Sequence, residues 1–211
     1  MVVFVIELVP KLAVLVIILE IESFGPAGIM DTQKTKNAIH YVIHKAQCLG
    51  LILGSVRLNK ILFCSDVEAF DANLEYITNG KYIRRPQGPA LYDFPYMILD
   101  LKNAGIITET IVETEQYDLR EYKSLVEPND SFFTEAEMAI LDGHIQEICG
   151  QPAQNAVDRT HNQIWNISEE NDFLPVAGYF STTVVPLTTE DANALYDECV
   201  AADRRFRSII S

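Results

Sequence analysis

The chain has few of the marks that announce chemistry. Its 211 residues contain no G-x-S-x-G, no H-E-x-x-H and no G-x-x-x-x-G-K-[ST]. The local signatures of a serine-hydrolase elbow, a zinc-peptidase helix and a phosphate loop are therefore absent. Cysteine is scarce: Cys48, Cys64, Cys149 and Cys199 lie far apart and form no C-x-x-C pair. That spacing argues against a disulfide framework or a zinc knuckle. Three of the four fall in apolar helical stripes, so buried free thiols in a reducing cytosol are expected. Basic residues are few, 16 Lys and Arg against 30 Asp and Glu, for a net charge of −14. A molecule of that charge repels nucleic acid at long range. Repeats and low-complexity tracts are missing too.

Long clean apolar runs are also lacking. Met1 to Ile21 is strongly apolar, but Glu7, Pro10, Lys11 and Glu20 interrupt or bound it. What remains is shorter than the roughly 18 residues that a membrane span needs. A positive leading region and a small-x-small cleavage site are both missing, so a signal peptide does not fit. Ser23-Phe-Gly-Pro-Ala-Gly28 breaks any helix, and Met30 follows at once. Residues 1–29 are therefore expected to be an upstream extension, a short helix or no regular structure. Met30 is the expected natural start, and 30–211 a single cytoplasmic domain with no membrane contact; a short membrane anchor at 1–29 is the other reading.

The charge is uneven. Asp31 to Lys102 carries nine Lys/Arg against seven Asp/Glu, a net of +2. From Gly105 onward there are six against twenty, a net of −14. The first thirty residues add one Lys and three Glu, which recovers the total. The acidic half suits a basic protein partner, or it serves solubility alone.

Helical spacing predicts a helix over Thr35–Leu49, with Ile39, Val42, Ile43, Ala46 and Leu49 inward. A second runs from a Ser55 cap, with Leu58, Ile61, Leu62, Phe63 and Phe70 inward, to Asp71-Ala-Asn-Leu74. Glu75–Ile83 reads as a short strand or extended loop, and Pro86, Gly88 and Pro89 oppose regular structure after it. A third helix follows an Asp93 cap, with Phe94, Met97, Ile98 and Leu101 inward, and stops at Gly105. Ile106–Thr114 and Tyr117–Val126 read as a hairpin. Three helices and a hairpin give a winged-helix-like order. Thr134-Glu-Ala-Glu137 is a capping box opening a helix with Met138, Leu141, Ile145 and Ile148 inward. A short helix near Ala153–Arg159, a strand near Tyr179 and a last helix from Thr189 complete the reading. The fold class is α+β, mostly α-helical: one compact helical domain with a small hairpin.

Candidate chemistry is thin. His40, His44 and Cys48 stand four apart on one helix face, but no second segment completes a metal cage, so a polar helix flank is the better reading. Asp66, Glu68 and Asp71 cluster on the second helix. They read as a solvated helix end rather than a split-pKa carboxylate pair. No enzyme activity, cofactor, metal or small-molecule substrate is expected.

The most informative stretch is Ile77-Thr-Asn-Gly-Lys-Tyr-Ile-Arg-Arg-Pro-Gln-Gly-Pro89. Arg84 and Arg85 offer forked donors, Tyr82 and Tyr92 rigid amphipathic surface, and Gln87 an amide. Pro86 and Pro89 reduce the loop's freedom and so the ordering cost of binding. A partner-binding loop of Tyr82, Arg84, Arg85, Gln87 and Tyr92 is one reading. The other is architectural, with Tyr82 packed inward and an arginine paired to a helix.

At these residues the sequence resembles the Panacea, or SocA-like antitoxin, family. Leu58-Asn-Lys-Ile-Leu-Phe-Cys-Ser-Asp66, Ile77-Thr-Asn-Gly80, Tyr82, Arg84-Arg85, Gly88-Pro89 and Leu101-Lys-Asn-Ala-Gly-Ile-Ile107 carry the resemblance. Phe133-Thr-Glu-Ala-Glu137 and His161 with Trp165 extend it, with Thr160 where a serine is common. It covers most of residues 30 to about 179, and Gly80, Gly88, Pro89, His161 and Trp165 are its structural positions. It implies an antitoxin of a bacterial or phage-borne two-gene module. The implied partner is a cognate protein toxin bound directly and, as for one family member, a protease that receives it. The other reading is a winged-helix DNA-binding regulator, which the acidic hairpin opposes. A phage-associated role of another kind also stays open.

Overall fold

The computed structural model describes residues 3–6, 15–18, 32–113, 118–151, 160–161 and 163–180. The chain divides into two compact units, 1–27 with 178–211, and 28–177. In the first, β1 (Val3–Ile6) pairs antiparallel with β2 (Leu15–Ile18), Val3 opposite Ile18 and Ile6 opposite Leu15. The expectation of a short helix or no regular structure there is corrected. Both segments are rich in Val and Ile, whose branched Cβ favours an extended backbone.

In the second unit, α1 (Thr32–Cys48) buries Ile39, Val42, Ile43 and Ala46 completely. Burying each such aliphatic side chain stabilises by about 1.5–3 kcal/mol. Leu49 lies past the helix end and is exposed, against expectation. α2 (Ser55–Asn73) is the central helix and packs against α1, α4 (Glu135–Cys149) and the strands described next. Ser55 is its first residue rather than its cap; Gly54 holds the cap position without a side-chain bond. Leu74 ends it in the left-handed conformation (φ 62).

A second hairpin stands where the prolines and glycine seemed to forbid one. β3 (Tyr82–Arg85) pairs antiparallel with β4 (Gly88–Leu91), Arg85 opposite Gly88. Pro86 and Gln87 form the turn. Proline fits that corner because its φ is already fixed there. Pro89 is tolerated because β4 is the edge of a three-stranded sheet with β3 in the middle and β7 (Phe173–Leu174) beyond. The expected strand near Tyr179 is corrected: the strand is β7, and Tyr179 sits in a 3-10 turn, Val176–Phe180.

α3 (Phe94–Asn103) buries Phe94, Met97, Ile98 and Leu101 as its spacing predicts. Asp93 holds its cap position but makes no side-chain cap bond. Its other end closes when Ile106 N–H donates to Leu101 O (2.9 Å) and Gly105 N–H to Lys102 O (3.0 Å). Gly105 sits at φ 67, a conformation glycine adopts without strain. β5 (Ile107–Glu113) and β6 (Asp118–Ser124) form the expected hairpin. Leu53 O accepts from Tyr122 N–H (3.1 Å), which ties the hairpin to the α1–α2 link. α4 opens with the expected capping box, Thr134 and Glu137 bonding reciprocally. α5 (Gln163–Ile167) follows. The order is α+β and mostly helical. The helices expected near 153–159 and from Thr189 lie outside the described residues.

Candidate functional site

The informative stretch is built on α2. Asn59, Leu62, Phe63 and Asp66 recur at helical spacing, so one stripe mixes apolar and polar side chains. All four are buried. The polar two meet the backbone that follows the helix.

Asp66 has no exposed surface. Its Oδ1 accepts from Thr78 N–H (2.8 Å), and its Oδ2 from the Thr78 and Tyr82 hydroxyls, the latter at 2.7 Å. Thr78 O accepts in turn from Thr35 Oγ1 of α1 (2.5 Å). Burial pushes the Asp66 carboxyl above its ordinary range, and the donors from Thr78 and Tyr82 pull it back. Burial also raises the Tyr82 phenol, with Asp66 adding to the effect. The solvated helix end expected for Asp66 is therefore corrected. Its carboxylate is a buried hub that fixes Ile77-Thr-Asn-Gly80. Tyr82 is corrected with it. The ring is 1 % exposed and meets Phe63 edge-on at 5.0 Å, so its surface faces the interior. Gly80 permits close passage, since a Cβ there would overlap Leu91 Cδ2.

The same helix anchors β4. Asn59 Oδ1 accepts from Leu91 N–H (2.9 Å). Lys60, 1 % exposed, donates from Nζ to Pro89 O (3.1 Å). Burial lowers its amine to about 7. A buried amine near neutrality is a familiar nucleophile, but this one is engaged with the hairpin backbone. Gly88 stands directly over it at φ 95. A Cβ there would overlap Lys60 Nζ and lie 2.6 Å from Thr160 Oγ1.

The outer face of the hairpin is clasped by the segment that follows α4. Arg84 Nε donates to Trp165 O (2.9 Å), and its guanidinium lies over the Trp165 ring at 4.1 Å. Trp165 Nε1 donates to Arg85 O (3.2 Å), and His161 stacks on the Trp165 ring at 3.6 Å. Arg84 N–H and O also bond Asp172 O and Asn171 N–H. Arg84 therefore holds α5 and β7 to β3. Arg85 extends outward with Glu170 at 3.9 Å, and Gln87 is exposed at the turn.

Tyr92 is 53 % exposed and touches Phe173 (centroids 5.5 Å), with Lys81 Nζ over that ring at 6.0 Å. Tyr96, one turn into α3, is 70 % exposed. Tyr92, Tyr96 and Phe173 are the exposed aromatics of an outer rim, with Tyr92 at the open end of the β3–β4 hairpin and Arg85 and Gln87 at its turn end. Tyr96 and Phe173 escaped the sequence reading. Their one signal was a large aromatic interrupting an otherwise polar position.

His40 turns away from the contacting pair His44 and Cys48. His40 Nε2 meets Ser124 Oγ (2.9 Å), while His44 Nε2 meets Cys48 Sγ (3.3 Å) and Glu127 (3.1 Å). Among the described residues no group of three or more His, Cys, Asp or Glu is arranged to hold a metal, and no helix is long and apolar enough to cross a membrane. Cys48, Cys64 and Cys149 form no disulfide among the described residues. Cys48 is exposed and the other two half-buried, which corrects the expectation of burial. Cys199 lies outside the described residues.

The model of the family described as "Antitoxin SocA-like, Panacea domain" matches residues 58–166, just over half of the chain. The matched span contains the Asp66 hub, both anchors of β4 and the Arg84–Trp165 clasp. It is narrower than the resemblance read from the sequence. No curated protein and no solved structure matches.

Proposed function

The chain belongs to the SocA-like antitoxin, Panacea-domain family, and from that premise we propose that it neutralises a cognate protein toxin by binding it directly. The family match carries the reading. The exposed aromatics Tyr92, Tyr96 and Phe173, with Arg85 and Gln87 at the turn end of the same hairpin, are the rim on which we place the partner. Exposed tyrosines on a rigid frame anchor protein interfaces at low entropic cost. The hairpin beneath them is fixed by the Asp66 and Lys60 anchors, so little ordering remains to be done on binding. The proposed protein is a cytoplasmic member of a two-gene, type II module and has no catalytic role. The buried Lys60 amine and Asp66 carboxyl both hold backbone.

The DNA-binding reading is weaker. β5 and β6 carry Glu109, Glu113, Asp118 and Glu121. Lys102 and Arg120 both bond Glu109 (2.5 and 3.2 Å), so these cations are already paired within the chain.

The test is co-expression with the adjacent open reading frame. That gene alone should stop growth, and this chain should restore it. A gene that is harmless alone, or that stays toxic beside this chain, overturns the proposal. Repeating the rescue in hosts lacking single cytosolic proteases separates direct sequestration from delivery. Rescue that survives every deletion supports sequestration.

A further inference from the structure

A cavity of about 310 Å³ opens between α1 and the C-terminal end of α3. Lys36, Asn37 and His40 line it from α1; Asp100, Leu101 and Ile106 line it from the α3 side. Its volume is at the lower end of ligand sites, which suits a side chain rather than a cofactor.

The hydrogen bonds inside it leave acceptors over. The Ser124 hydroxyl donates to Val126 O (2.6 Å), so its proton is spent. His40 Nε2 lies 2.9 Å from that Ser124 Oγ and 3.1 Å from Val126 O, both then acceptors. Nε2 must carry the hydrogen. Burial holds His40 below its ordinary value and so neutral, with Nδ1 a lone-pair acceptor that has no hydrogen-bond partner among the described residues. Asn37 donates from Nδ2 to Gln33 O (2.8 Å), and its Oδ1 likewise has no partner among the described residues. His40 and Asn37 are only 4 % and 9 % exposed, one turn apart. The cavity already holds one cation, because Lys36 Nζ reaches Asp100 Oδ2 there at 2.7 Å.

Two acceptors on nearly buried residues that line one cavity, with a carboxylate beside them, suit a ligand that donates several hydrogen bonds and carries positive charge. We propose that this cavity is a guanidinium site, taking one arginine-like group that donates to Asn37 Oδ1, His40 Nδ1 and Asp100 beside or in place of Lys36. The planar fork of five N–H donors serves separated acceptors better than a point-like ammonium. The net charge of −14 concentrates such cations near the protein. The site does not depend on the antitoxin reading. Its occupant is either an arginine side chain of a polypeptide or a free small guanidinium compound.

The test is isothermal titration of the full chain with N-acetyl-arginine methylamide, methylguanidine and the neutral citrulline analogue. The arginine probe should bind saturably and at least about tenfold tighter than citrulline, which lacks the charge. Asp100→Asn, a change at an exposed rim, should weaken it by about tenfold with the melting temperature unchanged. Lys36→Met should strengthen it, because the resident competitor is gone. A tenfold preference for the arginine derivative over methylguanidine marks a polypeptide as the source; equal affinities mark a free small cation. No saturable binding, equal binding of citrulline, or weakening by Lys36→Met overturns the proposal. The last result would identify an anion site.

Discussion

The two faces of the β3–β4 hairpin carry similar residue types and do different work. On the inner face Tyr82, Gly88 and Pro89 meet Asp66, Lys60 and Thr160, and nothing there reaches solvent. On the outer rim Arg85, Gln87, Tyr92 and Tyr96 are exposed on the same frame. A tyrosine or basic residue means architecture on one face and a place for a partner on the other. The difference is set by which atoms the backbone needs. Thr78 N–H, Leu91 N–H and Pro89 O are buried groups that must be satisfied, and α2 supplies their partners.

The largest effect that would separate the faces comes from Asp66→Ala. It strands Thr78 N–H and two hydroxyls, and should cost at least about 3 kcal/mol of stability. Urea titration checks this. A loss under about 1 kcal/mol would return Asp66 to the solvated helix end that the sequence suggested.

Lys60 gives a pH signature of comparable size. Its amine falls from 10.5 to about 7 on folding. Between those values the unfolded chain binds more protons than the folded one. Stability from this group therefore rises with pH across that window, and the full penalty applies below it, on the order of 5 kcal/mol. Lys60→Met should flatten the slope of stability between pH 7 and 10.5. An unchanged slope would show that the ammonium is solvated.

Gly88→Ala forces a methyl onto Lys60 and Thr160 at a positive φ, and should cost about 2 kcal/mol. Arg84→Ala should cost less, about 1–2 kcal/mol, through the Trp165 stack and the bond to its carbonyl. Arg85→Ala should change stability by no more than about 0.5 kcal/mol. Equal effects at the two neighbouring arginines would break the division between clasp and rim.

Much of this fold was legible in the sequence. The inward stripes of α1, α3 and α4 follow 3.6-residue spacing, and the α4 capping box needs only four residues to declare itself. The acidic β5–β6 hairpin was equally plain. What escaped depends on contacts distant along the chain. Asn59 and Asp66 stand two turns apart on the same stripe as Leu62 and Phe63. Local periodicity reads them as a polar flank, because it cannot show that β4 and the Thr78 turn cover them. The β3–β4 hairpin escaped because proline and glycine were weighed as breakers. Proline at a turn and on an edge strand, with glycine at positive φ, is how such a hairpin closes. For the site, the sequence marked the right stretch but could not sort Tyr82 from Tyr92, since only burial separates them.

The rim is tested most directly by the double substitution Tyr92→Ser with Tyr96→Ser in the co-expression rescue. Melting temperature and soluble amount should stay at the level of the unmodified chain, since both rings are largely exposed. Rescue of growth should be lost, reflecting a binding loss of about 2 kcal/mol or more. Full rescue by a stable double variant would contradict placing the partner on this face.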